Sequence, residues 1–318
     1  MTPRAARAEP PRSDDLARAA RLLVVRSRRE ATGLFAGNYA SAFRGGGLEF
    51  EESRPYVPGD DVRTIDWNAT ARHGETYVKR FREERDQTVL FALDCSASMR
   101  SGSGISSRAG TAAHALALLA AAAGRAGDRV GLVAFDDEVR AWIPPARGVA
   151  HGRRVVETAL ACAAAARGGT RIGAGLRALR PEARRSCVLV LLSDFRDERL
   201  LPDSGSAAPL RGLLAEQGPR HDVVAGALLD PTELALPAVG PIRMADPERP
   251  GATWVLDTGR RRVREAWLAA CAARRERVAA ALRRAGADLF WLRTDRSPLQ
   301  ALGRFFQERA ARRQRVSR

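Results

Sequence analysis

The chain has 318 residues, of which 45% are hydrophobic, and a formal net charge of +16. It is long enough to bury one large hydrophobic core or two smaller ones, and no apolar run reaches the roughly 20 residues that span a bilayer. Four cysteines (Cys95, Cys162, Cys187 and Cys271) lie far apart in the sequence, which argues against a zinc finger and a disulfide framework. We therefore expect a reduced cytoplasmic protein without a membrane span.

The positive charge comes almost entirely from arginine, because Lys79 is the only lysine. An arginine-rich chain can bind nucleic acid or another polyanion, or it can simply prefer arginine on its solvated helix faces. The arginine pairs are dispersed through predicted helices, and no aromatic residues alternate with them as in a single-strand binding platform. The second interpretation is therefore favoured, and nucleic-acid binding stays an alternative.

The first part of the chain is predicted to form a helix and a small β-rich lobe. Residues 1–12 are rich in Pro, Ala and Arg and are predicted to be a disordered tail. Within residues 13–87, a helix is expected over 13–30, and strands are expected over 48–53, 62–67 and 76–81 with glycine-rich loops before them. The lobe is densely charged with both signs.

From residue 88 onward, strands alternate with helices. Strands are predicted over 88–93, 129–135, 187–192, 222–229 and 287–292, and helices over 108–125, 149–166, 172–179, 210–217, 258–284 and from 297 onward. A strand over 138–143 follows too closely for a crossover, which predicts one antiparallel edge strand. Residues 88–316 therefore predict a doubly wound, mostly parallel, Rossmann-like α/β sheet, with an irregular insertion at about 230–257.

Five oxygen-bearing side chains are predicted to meet at one edge of this sheet. Asp94 and Asp194 end two apolar strands, Ser96 and Ser98 follow the first of them, and Thr170 lies in a loop that enters a helix. Ligands of such sheets bind beyond the carboxyl ends of the strands, and Mg²⁺ prefers oxygen ligands and keeps some of its waters. A magnesium site is therefore favoured; the alternative is that these residues only cap helices and loops.

The pattern Asp94-x-Ser96-x-Ser98, the Gly-Gly-Thr170 loop and the sequence Leu-Leu-Ser-Asp194 together resemble the metal-ion-dependent adhesion site (MIDAS) of von Willebrand factor type A domains. The resemblance implies that these five residues bind Mg²⁺, or another divalent cation such as Mn²⁺ or Ca²⁺. It also implies a protein partner that supplies an acidic residue to the metal. Phe195 departs from the pattern, since many such domains have Gly after the last Asp.

Residues 46–67, with Ala71, Arg72 and residues 82–84, resemble the bacterial domain-of-unknown-function 58 family, and the resemblance covers roughly residues 15–316. It implies a companion of MoxR-type AAA+ ATPases, which acts as an adaptor in chaperone-like assembly or activation of other proteins. The charged lobe either ties itself to the larger domain or recognises a partner. The candidate recognition residues are Glu49, Arg54, Asp60, Asp61, Arg63, Asp66, Trp67 and Arg72.

The function that we expect is a non-enzymatic, metal-dependent protein-binding adaptor. The sequence contains no Walker loop and no evident pair of nucleophile and base. An alternative is a Mg²⁺-dependent phosphohydrolase with Asp94 as the nucleophile. The usual aspartyl-phosphate loop has a second Asp two residues later, and this chain has Ser96 there. The other alternative is nucleic-acid binding through the arginines.

Overall fold

The computed structural model describes residues 13–31, 34–43, 48–83, 87–179, 186–197, 199–200, 208–216, 221–247 and 251–316. The strands are β1 (Leu48–Pro55), β2 (Tyr77–Glu83), β3 (Thr88–Asp94), β4 (Arg129–Phe135), β5 (Val139–Ala146), β6 (Val188–Ser193), β7 (Asp222–Leu229), β8 (Pro241–Ala245), β9 (Thr253–Asp257) and β10 (Asp288–Arg293). The α-helices are α1 (Ser13–Glu30), α2 (Leu34–Phe43), α3 (Trp67–His73), α4 (Arg108–Ala126), α5 (Val149–Ala164), α6 (Ile172–Ala178), α7 (Ala208–Glu216), α8 (Arg261–Arg284) and α9 (Pro298–Val316).

The main sheet has six strands in the order β10-β7-β6-β3-β4-β5. All neighbouring pairs are parallel except β4 and β5, which are antiparallel. This confirms the predicted doubly wound α/β sheet with one antiparallel edge. The central strands β3 and β6 are buried along almost their whole length, as expected for strands covered by helices on both faces.

Two hydrophobic clusters cover the two faces of the sheet. Helices α4, α5 and α9 form the first cluster together with residues of α1 and α2. Helices α6, α7 and α8 form the second cluster. The two N-terminal helices therefore pack directly on the α/β domain, whereas the antiparallel pair β1–β2 forms the separate small sheet of the lobe.

The structure corrects two details of the predicted N-terminal region. The strand predicted over 62–67 is wrong, because Val62–Thr64 forms a 3-10 helix and α3 begins at Trp67. Asp66 diverts the chain into α3, since its side chain accepts hydrogen bonds from the backbone N–H groups of Asn68 and Ala69. The second difference is α2, which lies where glycine-punctuated loops were predicted.

Packing explains why α2 forms. The rings of Tyr39 and Phe43 contact the ring of Phe306 in α9, with centroid distances of 5.8 and 5.4 Å. The Tyr39 hydroxyl donates a hydrogen bond to Asp128 at 3.0 Å. These contacts join parts of the chain that are far apart in sequence.

Arg309 of α9 connects α2 and α9 to two strands of the sheet. Its buried guanidinium pairs with Asp222 and Asp288, which begin β7 and β10, and donates a hydrogen bond to the carbonyl oxygen of Ala42 in α2. This arrangement holds α2, α9 and two strand ends together.

The predicted insertion contains a 3-10 helix, Pro231–Glu233, followed by the β8–β9 hairpin. The predicted tail, residues 1–12, lies outside the described residues. Among the helices that the structure describes, none combines the length and the apolar character needed to cross a bilayer.

Candidate metal centre

The two candidate aspartates lie at the ends of adjacent strands. Strands β3 and β6 pair in parallel, and Leu93 lies opposite Leu192. The next residue after Leu93 is Asp94, and Ser193 and Asp194 follow Leu192. Both carboxylates are buried, so the sheet brings two acidic groups together at its carboxyl edge.

The three candidate hydroxyls lie in one hydrogen-bonded group. The Ser96 and Ser98 Oγ atoms are 3.1 Å apart, and Thr170 Oγ1 donates a hydrogen bond to Ser96 Oγ at 2.9 Å. The backbone N–H of Ser96 donates to Asp94 Oδ1 at 2.9 Å. The structure therefore brings all three hydroxyls together, and it places them beside the Asp94 carboxylate.

Asp94 lies in an environment that disfavours its negative charge. Burial, followed by the nearby charge of Asp194, raises the pKa of Asp94 to about 7. Hydrogen bonds from Ser193 and Ser96 act in the opposite direction, and the Ser193 Oγ donates to Asp94 Oδ2 at 2.5 Å. A cation between the two carboxylates would relieve this repulsion.

The Thr170 loop is held in place from two sides. Gly168 has a φ of 70°, a left-handed conformation that favours glycine. A Cβ atom there would also lie 2.7 Å from Asp137 Oδ1, so the half-exposed Asp137 side chain would have to move. The carbonyl oxygen of Gly168 accepts a hydrogen bond from the backbone N–H of Ala97 at 3.0 Å. On the other side, Asp197 accepts a hydrogen bond from the backbone N–H of Ile172, which begins α6, at 2.9 Å.

Asp194 already has a cationic neighbour. Arg196 Nε lies 3.1 Å from Asp194 Oδ2, and the Arg196 side chain is exposed. Between them, Phe195 has a φ of 57° and is the only non-glycine residue with positive φ among the described residues. Phe195 thus adopts the left-handed conformation that a glycine would adopt easily, while its side chain is only 2% exposed in the second hydrophobic cluster.

A buried network of charged side chains supports the loop that follows β3 and the loop that follows β6. Arg108 pairs with Glu233 at 2.6 Å, and both side chains are buried. Arg108 also donates a hydrogen bond to the carbonyl oxygen of Ser98 at 3.3 Å. Arg274 lies 3.6 Å from Glu233 and donates to the carbonyl oxygen of Asp194 at 2.5 Å. Sequence reasoning missed this network.

The donors present fit a small hard cation. Within the described ranges, no three His, Cys, Asp or Glu side chains form a metal-binding cluster. The candidate ligands are instead the two carboxylates of Asp94 and Asp194 and three hydroxyls. Neighbouring ligands in an octahedron with about 2.1 Å bonds are about 3 Å apart. The observed hydroxyl separations of 3.1 and 2.9 Å match that spacing. The donor types therefore suit Mg²⁺, whereas the two hydroxyl separations are also those of ordinary hydrogen bonds.

The predicted recognition residues of the lobe divide into two groups. Arg54 and Asp60 form a two-point ion pair at 2.9 and 2.7 Å, and the Asp66 carboxylate caps α3 and accepts from Ser53 Oγ at 2.6 Å. These three side chains have partners within the lobe. Asp61, Trp67 and Arg72 are exposed, and Trp67 is 71% exposed. The side chains of Glu49 and Arg63 lie outside the described set.

Ser193 is the supporting residue that the sequence could have revealed. It lies directly before Asp194 in the motif, and its hydroxyl bridges the two loops by donating to Asp94 and accepting from the backbone N–H of Phe195 at 2.9 Å. A hydroxyl residue at the end of an otherwise apolar strand, directly before a candidate metal ligand, is the sequence feature that could have indicated this supporting role.

Comparison with known proteins places the chain in a family. Uncharacterized proteins of Mycobacterium tuberculosis and Mycobacterium bovis are 32% identical to it over 297 residues, which is 92% of this chain and 90% of theirs. Among solved structures, BatB from Bacteroides thetaiotaomicron (TM-score 0.41, 17% identity) covers 71% of this chain and 99% of its own. The PilB minor pilin from Streptococcus sanguinis (TM-score 0.42, 12% identity) covers 76% of this chain and 65% of its own. Residues 52–277 match the family described as "Protein of unknown function DUF58", and the chain therefore belongs to the DUF58 family.

Proposed function

We propose that this protein is a non-enzymatic adaptor that binds a partner protein through a divalent cation. The observation that supports this most directly is the hydrogen-bonded group of the Ser96, Ser98 and Thr170 hydroxyls beside the buried Asp94 carboxylate, whose pKa is raised by burial and also by the charge of Asp194. When bound, the cation would supply an electrophilic site for a carboxylate of the partner. Asp94, Ser96, Ser98, Thr170 and Asp194 would hold it.

Docking is preferred over phosphoryl chemistry because of what lies at position 96. The usual aspartyl-phosphate loop has a second Asp two residues after the nucleophile, where it is available for proton transfer. Ser96 occupies that position, and its hydroxyl is bonded to Ser98 and Thr170. These residues are therefore suited to holding an ion and not to transferring a proton.

The partner that we propose is a MoxR-type AAA+ ATPase, with which the protein would act in chaperone-like assembly or activation of other proteins. Family resemblance is the basis of this choice. The exposed lobe residues Asp61, Trp67 and Arg72 would help to orient the partner.

The test is a binding measurement with a purified MoxR-type ATPase from the same organism. Binding is expected with Mg²⁺, and it should weaken at least about tenfold, or about 1.4 kcal/mol, in EDTA or in Asp94→Asn. Glu157→Gln is the matched control, because it neutralises a surface carboxylate of α5 that pairs only with Arg153 among the described residues. Unchanged binding by Asp94→Asn would contradict metal-dependent docking.

A further inference from the structure

The outer side of strand β10 forms an open edge of the main sheet. β10 is the last strand in the sheet order, and within the described residues it pairs only with β7. Its six residues extend over roughly 20 Å at about 3.3 Å per residue. An edge strand of this kind presents unpaired backbone N–H and C=O groups, which are a template for another strand.

This edge lies at the bottom of a groove between two helices. Helices α8 and α9 cover opposite faces of the sheet, and both contact β10. Small side chains, Ala279 of α8 and Ala301 of α9, line the two walls and leave room between them. The groove has a volume of about 640 Å³. Leu289 and Trp291 of β10 provide apolar contact along its floor.

The charges that line the groove are mainly positive. Four arginines line it, Arg275, Arg293, Arg296 and Arg304, against two glutamates, Glu276 and Glu308. Arg293 is held by Asp295 at 2.6 and 2.8 Å, and Arg275 donates to the carbonyl oxygen of Glu233. Arg296 and Arg304 are exposed, and within the described residues neither lies within 4 Å of a carboxylate. After the Arg293 hydrogen bond, the Arg296 charge also contributes to the lowered pKa of Asp295, and Arg304 Nε donates a long hydrogen bond of 3.5 Å to the carbonyl oxygen of Gln300. Two guanidinium groups are thus available to an incoming ligand.

We propose that β10 binds an extended acidic segment of another protein, which adds to the sheet as a seventh strand. Backbone hydrogen bonds to β10 would supply the register, and alternate acidic side chains would meet Arg296 and Arg304. The chain's own residues 1–12 do not suit this role. They contain three arginines and one glutamate, and their three prolines lack backbone N–H donors.

The experiment measures fluorescence anisotropy of a labelled peptide of about eight alternating Glu and Val residues, added to the full chain in EDTA at low salt. Chelation keeps the candidate metal centre out of the measurement, so a failure here says nothing about the proposed adaptor function. The comparison peptides are a Lys–Val peptide and a Glu–Val peptide with N-methyl groups on alternate residues, which cannot donate those backbone hydrogen bonds. The variants are Arg296→Glu with Arg304→Glu, and the matched charge control is Arg262→Glu with Arg283→Glu.

The Glu–Val peptide is expected to bind, and the Lys–Val and N-methylated peptides to bind at least about tenfold more weakly. Arg296→Glu with Arg304→Glu should weaken Glu–Val binding by a similar factor, whereas the control pair on α8 should not. Equal binding of the N-methylated peptide would overturn strand addition, because only charge attraction would remain. Absence of peptide binding together with binding of a single-stranded oligothymidylate would also overturn the proposal, in favour of a nucleic-acid surface.

Discussion

Replacing Phe195 tests whether the loop after Asp194 is held in a left-handed conformation. Removal of a buried Phe side chain costs about 3–5 kcal/mol, so both Phe195→Ala and Phe195→Gly should be destabilised. The two variants differ in backbone strain. Alanine at a φ of 57° carries a penalty of about 1–2 kcal/mol that glycine avoids. Glycine loses about 0.5–1 kcal/mol more in backbone entropy, so at the middle of both ranges Phe195→Gly is more stable than Phe195→Ala by about 0.7 kcal/mol.

The assay is urea unfolding, with the free energy of unfolding obtained by linear extrapolation. Phe306 provides the matched site, because it is fully buried in α9 and has an ordinary helical backbone. The free energy of unfolding of Phe306→Gly should be lower than that of Phe306→Ala by about 1 kcal/mol. The sign of the alanine–glycine difference should therefore reverse between positions 195 and 306. A Phe195→Ala variant as stable as Phe195→Gly would refute the reasoning.

Three further predictions concern the metal centre and its support. Gly168→Ala should lower the free energy of unfolding by about 1–3 kcal/mol and weaken Mg²⁺ binding measured by calorimetry, because alanine is strained at positive φ. Gly169→Ala is the control and should be close to neutral, since a new Cβ there meets nothing within 4 Å. Equal effects of the two substitutions would contradict a strained backbone at position 168. In EDTA, the raised pKa of Asp94 means that the folded state holds a proton which the unfolded state has released, so stability from this group is present below pH 4 and lost as the pH rises through about 7. Urea unfolding at pH 5 and pH 8 should show a larger fall in the free energy of unfolding for the wild type than for Asp94→Asn. An equal fall in the two proteins would argue against a raised pKa of Asp94. Glu233→Gln should cost about 3–5 kcal/mol in urea unfolding, because it weakens the contacts of the buried Glu233 carboxylate with both Arg108 and Arg274. Arg108→Met with Glu233→Gln should cost less than the sum of the two single variants, and strictly additive costs would contradict coupling between Arg108 and Glu233.

Patterns that repeat along the chain allowed most of the sheet to be predicted. Each apolar run that ends in a polar residue became a strand, and Asp94 and Ser96 lie at the end of β3 as expected. Helix α2 could not be predicted, because Gly37 weakens the local helix signal and packing of Tyr39 and Phe43 on α9 compensates.

The support of the site depends on partners that are distant in sequence. Arg108 and Glu233 are separated by 125 positions, and no local pattern relates them. In the lobe, the charge pattern suggested a recognition surface, but it did not indicate that Arg54 and Asp60 bind each other. Spacing within a motif is visible in one sequence, whereas pairing across the fold is not.

The contacts of Arg309 have a practical consequence for anyone who prepares a shorter recombinant version. A fragment cut to the family match, residues 52–277, would end inside α8 and would omit β10, α9 and α2. Asp222 would lose its buried guanidinium partner, and one face of α4 would be exposed to water. We expect such a fragment to aggregate, so the shortest useful version should keep residues 13–316 together.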